Sequence, residues 1–290
     1  MTILSHSKTI NRIVEDFLKT NEFEIKPLAG GDINQAYAVK RKGDIFFLKL
    51  NDAKKFPQMM EKEADGLKAL AKHSQFKIPQ VLSGGTQENI QYLFLEYIQS
   101  GRGRSNFWTD FGTKLANMHR VSDPHFGWPT ANYMGSIRQE NTRCHSWQEF
   151  FANYRVLPLS QMLFRAGAFS SRDVDQAEKL CSRLEALFPH ESPAFIHGDL
   201  WSGNFMIDNA GLAVLIDPAV SFSHREMDLG MTQLFGGFPE DFYRSYEDTY
   251  PLEKNWKQRL PLAQLYPLLI HAVLFGGSYV RRCQSIMARF

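Results

Sequence analysis

The pattern of apolar positions divides the chain into a strand-rich first part and a helical second part. Ile10, Ile13, Val14 and Phe17 lie on one face of an amphipathic helix that we expect to end before Asn21. The stretch that follows, up to residue 98, consists mostly of short apolar runs bounded by turn residues, which is typical of strands. The predicted strands are residues 23–28, 35–39, 45–50, 81–82 and 92–98, with a helix at residues 57–72.

Glycines mark the turns of this predicted sheet. Residues 41–44, with the sequence Arg-Lys-Gly-Asp, are expected to join the second strand to the third. The Gly84-Gly85 pair is expected to turn the chain between the fourth strand and the fifth. These runs and turns together predict a small antiparallel sheet with one long helix beside it.

Helical spacing of apolar residues dominates after residue 105. The expected helices are residues 107–118, 147–164, 174–187 and 260–279. The expected strands among them are residues 195–196, 205–207 and 212–216. Residues 100–105 carry two glycines and two arginines without large apolar groups, which favours a linker there. The sequence therefore predicts an α+β fold, with a small antiparallel-sheet lobe at residues 1–99 and a larger, mostly helical lobe at residues 100–290.

Composition and charge exclude several classes of protein. The 290 residues carry a formal net charge of +2, from 33 basic and 31 acidic residues. This gives no field strong enough for nucleic acid or an anionic membrane as the main partner. Charged residues near the N-terminus disfavour an export signal, and three widely spaced cysteines favour a reducing compartment. We therefore expect a cytoplasmic protein that does not enter a membrane, and a monomer.

The polar residues with the clearest chemical pattern lie among the strands of the second part. Asp199 and Asn204 stand in D-x-x-x-x-N spacing in the loop of residues 197–204, and Asp217 ends the next strand. Phosphoryl transfer needs a carboxylate near the attacking hydroxyl and oxygen ligands for magnesium. We therefore predict Asp199 as the catalytic base, Asn204 and Asp217 as Mg²⁺ ligands, and ATP as the phosphate donor. Such residues also cap ordinary loops, but a chance match to the whole pattern is disfavoured.

A cation for the phosphates is expected on the third strand. Lys49 lies near the end of that strand, and Glu63 lies on the apolar face of the following helix, where an unpaired carboxylate would be costly to bury. An ion pair between Lys49 and Glu63 accounts for both positions and places the lysine near the α- and β-phosphates. Surface placement of one or both side chains is the alternative.

Two main-chain segments are candidates for contacts to the nucleotide. Gly30 and Gly31 lie between the first two strands, where glycine lets the main chain approach a phosphate closely. Glu96, Tyr97 and Ile98 lead from the fifth strand into the linker, where a connector between lobes can offer its main-chain groups to adenine. An ordinary hairpin and an ordinary strand are the alternatives.

Other catalytic patterns are missing from the sequence. It contains neither the Gly-Lys-Ser/Thr ending of a P-loop, nor a G-x-S-x-G motif, nor an H-E-x-x-H motif. His119 and His271 lie in apolar helical stretches, so we expect them to be core residues or to support a site rather than to bind metal.

The motifs resemble those of the fructosamine or ketosamine kinase family, a branch of the aminoglycoside-phosphotransferase-like kinases. His-Gly-Asp at residues 197–199, together with Asn204 and Asp217, is similar to the signature of the whole superfamily. Leu-Trp-Ser-Gly at residues 200–203 looks like the ketosamine kinase branch. Further segments that resemble this branch are residues 126–129, 132–135, 147–151, 224–229, 266–269 and 275–279. The resemblance covers nearly the whole chain.

This resemblance implies a bilobal protein-kinase-like fold and phosphorylation of a sugar hydroxyl, the 3-hydroxyl, on an amine-linked ketose by ATP and Mg²⁺. The implied acceptors are ribulosamine, erythrulosamine or fructosamine adducts, free or protein-linked, and repair of early glycation is the implied role. By the same likeness Lys49 and Glu63 form the phosphate clamp and Glu96 to Ile98 form the adenine hinge.

Trp201, beside the predicted base, is implied to be the floor of the sugar pocket, because an aromatic ring can stack on the C–H face of a sugar. Packing of the catalytic loop is the alternative for this residue.

Two alternatives for the whole chain are a related kinase acting on an aminoglycoside, choline or another alcohol, and a catalytically silent binding module. Asp32 replaces a cysteine present in many eukaryotic members, so no intermolecular disulfide is expected at that position.

Overall fold

The computed structural model describes residues 3–29 and 33–290. The first part of the chain forms a five-stranded antiparallel sheet with helices α1 (Ile3–Leu18) and α2 (Met59–His73). The strands follow the spatial order β1-β2-β3-β5-β4. In chain order they are β1 (Glu24–Leu28), β2 (Gln35–Arg41), β3 (Asp44–Asp52), β4 (Val81–Gln87) and β5 (Ile90–Glu96).

The two helices cover opposite faces of this sheet. Neighbouring residues of a strand point to opposite faces, and β5 is apolar at successive positions. Phe94 packs in one cluster with Ile13 of α1, whereas Leu93 packs in a second cluster with Leu67 of α2. The sheet therefore has two buried faces, and the predicted type and order of these elements are confirmed.

The two predicted turns of the sheet have different outcomes. The turn at residues 42–43 is confirmed, because both residues have positive φ, 46° and 98°, as a two-residue hairpin loop requires. The turn predicted at the Gly84-Gly85 pair is wrong, because β4 runs through both glycines and the chain turns at residues 88–89. A Cβ on Gly85 would lie 2.9 Å from the hydroxyl oxygen of Tyr92. Glycine at this position makes room for a neighbouring ring and does not form a turn.

The second part of the chain is mainly helical, as predicted. Its helices are α3 (Phe107–His119), α4 (Trp147–Phe151), α5 (Leu157–Arg165), α6 (Ser171–Ser182), α7 (Leu184–Leu187), α8 (Glu226–Leu234), α9 (Glu240–Thr249), α10 (Trp256–Ala263), α11 (Leu265–Phe275) and α12 (Ser278–Arg289). Its short strands are β6 (Asn132–Met134), β7 (Ile137–Gln139), β8 (Ala194–Ile196), β9 (Phe205–Ile207), β10 (Ala213–Leu215) and β11 (Ser221–Ser223). Within residues 3–29 and 33–290, no helix combines the length and the apolar character needed to cross a bilayer.

Helix boundaries differ from the prediction where the chain changes direction. The single helix predicted at residues 260–279 is wrong, because parts of α10 and α12 and the whole of α11 occupy this stretch. Helix α11 ends before Gly276 and Gly277, whose φ values of 64° and 60° interrupt the helical backbone. The helix predicted at residues 174–187 is also two helices, α6 and α7. By contrast, α4 and α5 are joined by a π-helical turn at Ala152–Val156 and follow the predicted course.

The chain crosses between the lobes beside strand β9. The main-chain N–H of Gly101 donates to the carbonyl of Ile207 at 2.8 Å. A Cβ on Gly101 would lie 2.3 Å from the carbonyl oxygen of Asp208, so this approach requires glycine. The small sheet lobe and the larger helical lobe are thus as predicted, while the boundary between residues 99 and 100 stays a prediction.

Candidate active site

Residues predicted for phosphoryl transfer come together from both lobes. The catalytic loop, residues 197–204, leaves β8 and enters β9, and these strands pair with β11 and β10 respectively. Asp217 follows β10 on the next loop. Strand pairing therefore fixes both ends of the catalytic loop and the start of the loop that carries Asp217.

A buried carboxylate from helix α8 holds the start of the catalytic loop. Asp228 accepts hydrogen bonds from the main-chain N–H groups of His197 at 2.8 Å and of Gly198 at 2.9 Å. It also lies 3.2 Å from His119 Nε2, while His119 Nδ1 lies 2.7 Å from the hydroxyl of Tyr246. Because an ionised carboxylate only accepts, His119 donates to Asp228 from Nε2. Burial opposes the charge of Asp228, but these hydrogen bonds outweigh burial and hold its pKa below the usual range.

Sequence reasoning missed the role of Asp228. A signal was available, since Asp228 stands between Met227 and Leu229, and a carboxylate buried among apolar neighbours needs partners. The expectation that His119 is a core or supporting residue is confirmed by its bond to Asp228. His271 is half-buried, and its Nδ1 lies 2.7 Å from the carbonyl of Pro267.

Gly198 is required by the contact between the catalytic loop and the segment after Asp217. Its φ is +86°, and a Cβ there would lie 2.1 Å from the carbonyl oxygen of Ala219. The main-chain N–H of Ala219 donates to the carbonyl of His197 at 2.9 Å, which joins the two segments. Any side chain at position 198 would force them apart, so the sequence His-Gly-Asp has a steric explanation.

Asp199 and Asn204 are hydrogen-bonded to each other. Asn204 Nδ2 donates to Asp199 Oδ2 at 2.9 Å and to the Asp199 carbonyl at 2.8 Å. With its amide nitrogen engaged in this way, Asn204 keeps its amide oxygen available as a ligand. Burial raises the pKa of Asp199 to about 7. The charges of Asp217 and Asp228 also raise this pKa, whereas the hydrogen bond from Asn204 lowers it. Asp199 therefore titrates near neutral pH, where a general base is most effective.

Lys49 connects carboxylates from the two lobes. Its Nζ lies 2.8 Å and 3.0 Å from the carboxylate oxygens of Glu63 on α2, and 2.5 Å from Asp217 Oδ1. The predicted ion pair of Lys49 and Glu63 is confirmed, and both side chains are buried. Asp217 is more open, with 46% of its side chain exposed, and its φ of 52° is in the left-handed region that few non-glycine residues adopt.

The shared lysine influences the ionisation of both carboxylates. Burial alone would lower the pKa of Lys49, but the charges of Asp217 and Glu63 outweigh it and raise the pKa. Burial raises the pKa of Glu63 above its usual range in spite of the charge of Lys49. Partial desolvation would raise the pKa of Asp217 as well, yet the charge of Lys49 holds this pKa below the usual range. With Asp199 close by, carboxylates outnumber the lysine, which suits the binding of a further cation.

The segments predicted to contact the nucleotide are only partly described. Gly30 and Gly31 lie outside the described residues. Glu96 ends β5, and its main-chain N–H donates to the carbonyl of Gln80 at 2.9 Å. Its carboxylate lies 3.4 Å from Lys77 Nζ and has no ion pair with Lys49. Tyr97 is half-buried and Ile98 is buried, and both lie between the end of β5 and the crossing to the second lobe. Their contact with adenine stays a prediction.

Trp201 packs against its own loop. A Cβ on Gly203 would lie 2.4 Å from the ring of Trp201, so the ring lies directly against this glycine. Trp201 is half-buried, and its ring centroid lies 5.5 Å from that of Phe235, just after helix α8. Packing of the catalytic loop is therefore one role of this ring, while its contact with a sugar stays a prediction.

Comparison with known proteins identifies the family. The model of the fructosamine kinase family matches residues 6–290. The chain is also 37% identical to an Enterococcus faecium protein provisionally named a ketoamine kinase, over 97% of this chain and 99% of that protein. The chain belongs to the fructosamine kinase family.

Further proteins are similar to this chain in sequence, in structure or in both. A chloroplastic protein-ribulosamine 3-kinase of Oryza sativa subsp. japonica is 34% identical over 91% of this chain and 77% of its own length. A crystal structure from Thermobifida fusca, provisionally described as a fructosamine-3-kinase, has a TM-score of 0.85 and 31% identity over 97% of both chains. An aminoglycoside phosphotransferase has a TM-score of 0.60 at 15% identity, over 97% of this chain and 98% of its own, and shares the fold.

The predicted family and the predicted bilobal, protein-kinase-like fold are thus confirmed. As a member of the fructosamine kinase family, this protein is an ATP-dependent phosphotransferase with an alcohol group as acceptor. The roles of the individual residues stay predictions at this point.

Proposed function

We propose that this kinase transfers the γ-phosphate of ATP to the 3-hydroxyl of a ketosamine, such as a ribulosamine, erythrulosamine or fructosamine adduct. The observation that carries the proposal is the cluster in which Lys49 joins Glu63 to Asp217 and Asn204 joins Asp199 in the neighbouring loop. Relatives named ketoamine kinase and protein-ribulosamine 3-kinase support the acceptor class. We infer repair of early glycation adducts as the role of the reaction.

Asp199 is the proposed general base. Its carboxylate accepts the proton of the acceptor hydroxyl while the hydroxyl oxygen forms a bond to the γ-phosphorus. The bond from this phosphorus to the bridging oxygen breaks, and ADP leaves with the electron pair. A pKa of about 7 keeps a large fraction of Asp199 ionised at neutral pH, and the Asn204 hydrogen bond fixes the orientation of its carboxylate.

Asn204 and Asp217 are the proposed Mg²⁺ ligands. Both offer oxygen atoms, which this hard cation prefers. The amide oxygen of Asn204 is available because its nitrogen is bonded to Asp199, and the Asp217 carboxylate is partly open and ionised. These donors fit the metal, which when bound supplies charge neutralisation on the phosphates.

The nucleotide is proposed to contact the first lobe. Lys49, which lies 2.8 Å from Glu63, is proposed to contact the α- and β-phosphates. Gly30 and Gly31 are proposed to lie close to the phosphates, where they leave the main-chain N–H groups accessible. The hinge at residues 96–98 is proposed to offer main-chain groups to adenine, and the ring of Trp201 to stack on the sugar of the acceptor.

The direct test combines the purified enzyme with ATP, Mg²⁺ and a panel of acceptors: fructose-lysine, ribulose-lysine, an aminoglycoside and choline. We expect phosphate transfer to at least one ketosamine, with the phosphate on the 3-hydroxyl as judged by ³¹P NMR. Asp199→Asn should lower kcat by about 10² to 10⁴ and leave ATP affinity intact. Transfer to the aminoglycoside or choline alone would replace the ketosamine assignment, and equal activity of the Asn variant would remove Asp199 from its role as base.

A further inference from the structure

A row of aromatic rings extends from the catalytic loop to the protein surface. It consists of Trp201, Phe235, His271, Phe275 and Tyr279, and we call it the aromatic wall. Ring centroids are 5.5 Å apart for Trp201 and Phe235, and 5.0 Å apart for Phe235 and His271. From His271 the centroids of Phe275 and Tyr279 are 5.6 Å and 5.1 Å away. The wall therefore begins two residues beyond the proposed base and ends at Phe275, which is 60% exposed.

Two glycines build the outer end of the wall. Gly276 has φ 64° and ψ −143°, and Gly277 has φ 60° and ψ −126°. Residues with a side chain are strongly disfavoured in this conformation, so the corner between α11 and α12 requires glycine at both positions. The corner brings Tyr279 of α12 next to His271 of α11. The backbone conformation at these two glycines therefore determines where the ring of Tyr279 lies in the wall.

His271 adds a hydrogen-bond acceptor to the middle of the wall. Its Nδ1 lies 2.7 Å from the carbonyl of Pro267, and a carbonyl only accepts, so Nδ1 carries the proton. Burial lowers the pKa of His271, and the charge of Arg282 lowers it further, whereas the hydrogen bond to Pro267 raises it. The neutral ring therefore presents a lone pair at Nε2. Arg282 is itself exposed, so solvent screens its charge from a ligand at the wall.

A protonated amine matches the chemistry of the wall. Its N–H groups can donate to the lone pair of His271, and the faces of aromatic rings attract cations. The amine of a ketosamine is protonated at neutral pH, like that of lysine, and only three carbon atoms separate its nitrogen from the 3-hydroxyl oxygen. An acceptor whose 3-hydroxyl lies at Asp199 therefore has its amine close to the catalytic loop, on which the wall begins at Trp201.

We propose that the aromatic wall binds the ammonium group of the ketosamine, with His271 Nε2 accepting a hydrogen bond from its N–H and with Phe235 and Tyr279 beside the charge. This inference rests on the proposed function and assigns the amine half of the same acceptor. The outer end of the wall is exposed at Phe275, so the proposal includes an amine that belongs to a protein side chain.

A pair of matched acceptors tests the role of the charge. The first is 1-deoxy-1-(propylamino)fructose, and the second is the ether in which oxygen replaces the amine nitrogen. The readout is the ratio of kcat/KM for the amine to kcat/KM for the ether, measured at saturating ATP. We expect His271→Phe, which keeps a ring but removes the lone pair, to lower this ratio by about 10- to 100-fold. His271→Gln, which restores an acceptor oxygen, should recover part of the ratio.

A second variant covers the case in which His271→Phe fails to fold. Phe235→Leu keeps an apolar side chain but removes the ring face, and we expect it to lower the same ratio by about 3- to 10-fold. An unchanged ratio in the folded variants, whether both acceptors lose activity equally or neither loses it, would overturn the inference and leave the ketosamine kinase function intact. If the wild-type enzyme transfers phosphate to neither acceptor nor to any ketosamine, the proposed function falls, and this inference falls with it.

Discussion

Lys49 Nζ lies 2.5 Å from Asp217 Oδ1 although the two residues belong to different lobes. The same ammonium is bonded to both carboxylate oxygens of Glu63, so one cation serves two acids. We expect Glu63 to keep this cation in position when the phosphates of a nucleotide replace Asp217 as its second partner. We expect this exchange to free the Asp217 carboxylate for magnesium.

Replacement of Lys49 by Met tests this exchange. The variant keeps an extended, apolar side chain but loses the cation, and we expect kcat/KM for ATP to fall by about 10²- to 10³-fold. The KM for the acceptor should change little, because Lys49 lies on the nucleotide side of the proposed site. Steady-state kinetics with each substrate varied in turn will measure both effects. Lys26→Met, which removes an exposed lysine of β1, is the control, and equal ATP kinetics in the two variants would refute the assignment.

Gly198→Ala tests whether the catalytic loop needs a residue without a side chain. The new Cβ would meet the Ala219 carbonyl at 2.1 Å in addition to the strain of a positive φ. Gly167→Ala is the matched control, because Gly167 has a φ of +73° and a Cβ on it meets no atom of the described residues within 4 Å. We expect the control to lose about 1 to 2 kcal/mol in the free energy of unfolding.

The Gly198 variant should lose more free energy than this, and its kcat should fall while that of the control stays near the wild-type value. Urea unfolding and initial-rate kinetics supply the two measurements. Equal losses of stability in both variants would mean that the Ala219 carbonyl can move away without a loss of stability. Only the positive φ at position 198 would then require glycine.

Asp199→Asn is expected to remove the pH dependence that Asp199 imposes on stability. The pKa of Asp199 is 3.8 as a free group and about 7 in the folded protein. Between these values the unfolded chain ionises while the folded protein retains the proton, so the wild-type protein loses stability as pH rises from about 4 to 7. Asparagine does not titrate. The melting temperature of the variant relative to wild type should therefore rise by roughly 5 °C across this range.

Differential scanning calorimetry at several pH values will measure this shift, with Asp241→Asn as the control. Asp241 is exposed at the start of α9, so this variant controls for the loss of a surface carboxylate. A difference between Asp199→Asn and wild type that is constant with pH would show that the pKa of Asp199 is not raised.

Several features of the site could be predicted because single residues conflict with their local surroundings. Glu63 stands on the apolar face of a helix, and only a partner such as Lys49 makes its burial affordable. The spacing of Asp199 and Asn204 fits a short loop between two strands, and the two side chains are indeed bonded. A short apolar run located β5, because a strand that is apolar at successive positions needs cover on both faces.

Other features could not be predicted because they depend on tertiary contacts between distant parts of the chain. Asp228 binds main-chain N–H groups at positions 197 and 198, and the sequence does not indicate where a main-chain donor will lie. The Gly84-Gly85 pair looked like a turn because the approach of Tyr92 to it is visible only after the strands pair. The aromatic wall combines three separate segments for the same reason.

Helix α8 has a consequence for how the site keeps its dimensions. Asp228 near its start is bonded to the catalytic loop, and Phe235 directly after its end belongs to the aromatic wall. A helix of nine residues behaves as a stiff rod, so one rigid element links the loop that carries the proposed base to the proposed amine-binding surface. If the two proposals hold, the choice of one sugar hydroxyl over its neighbours depends on a helix that lies behind the proposed acceptor-binding residues.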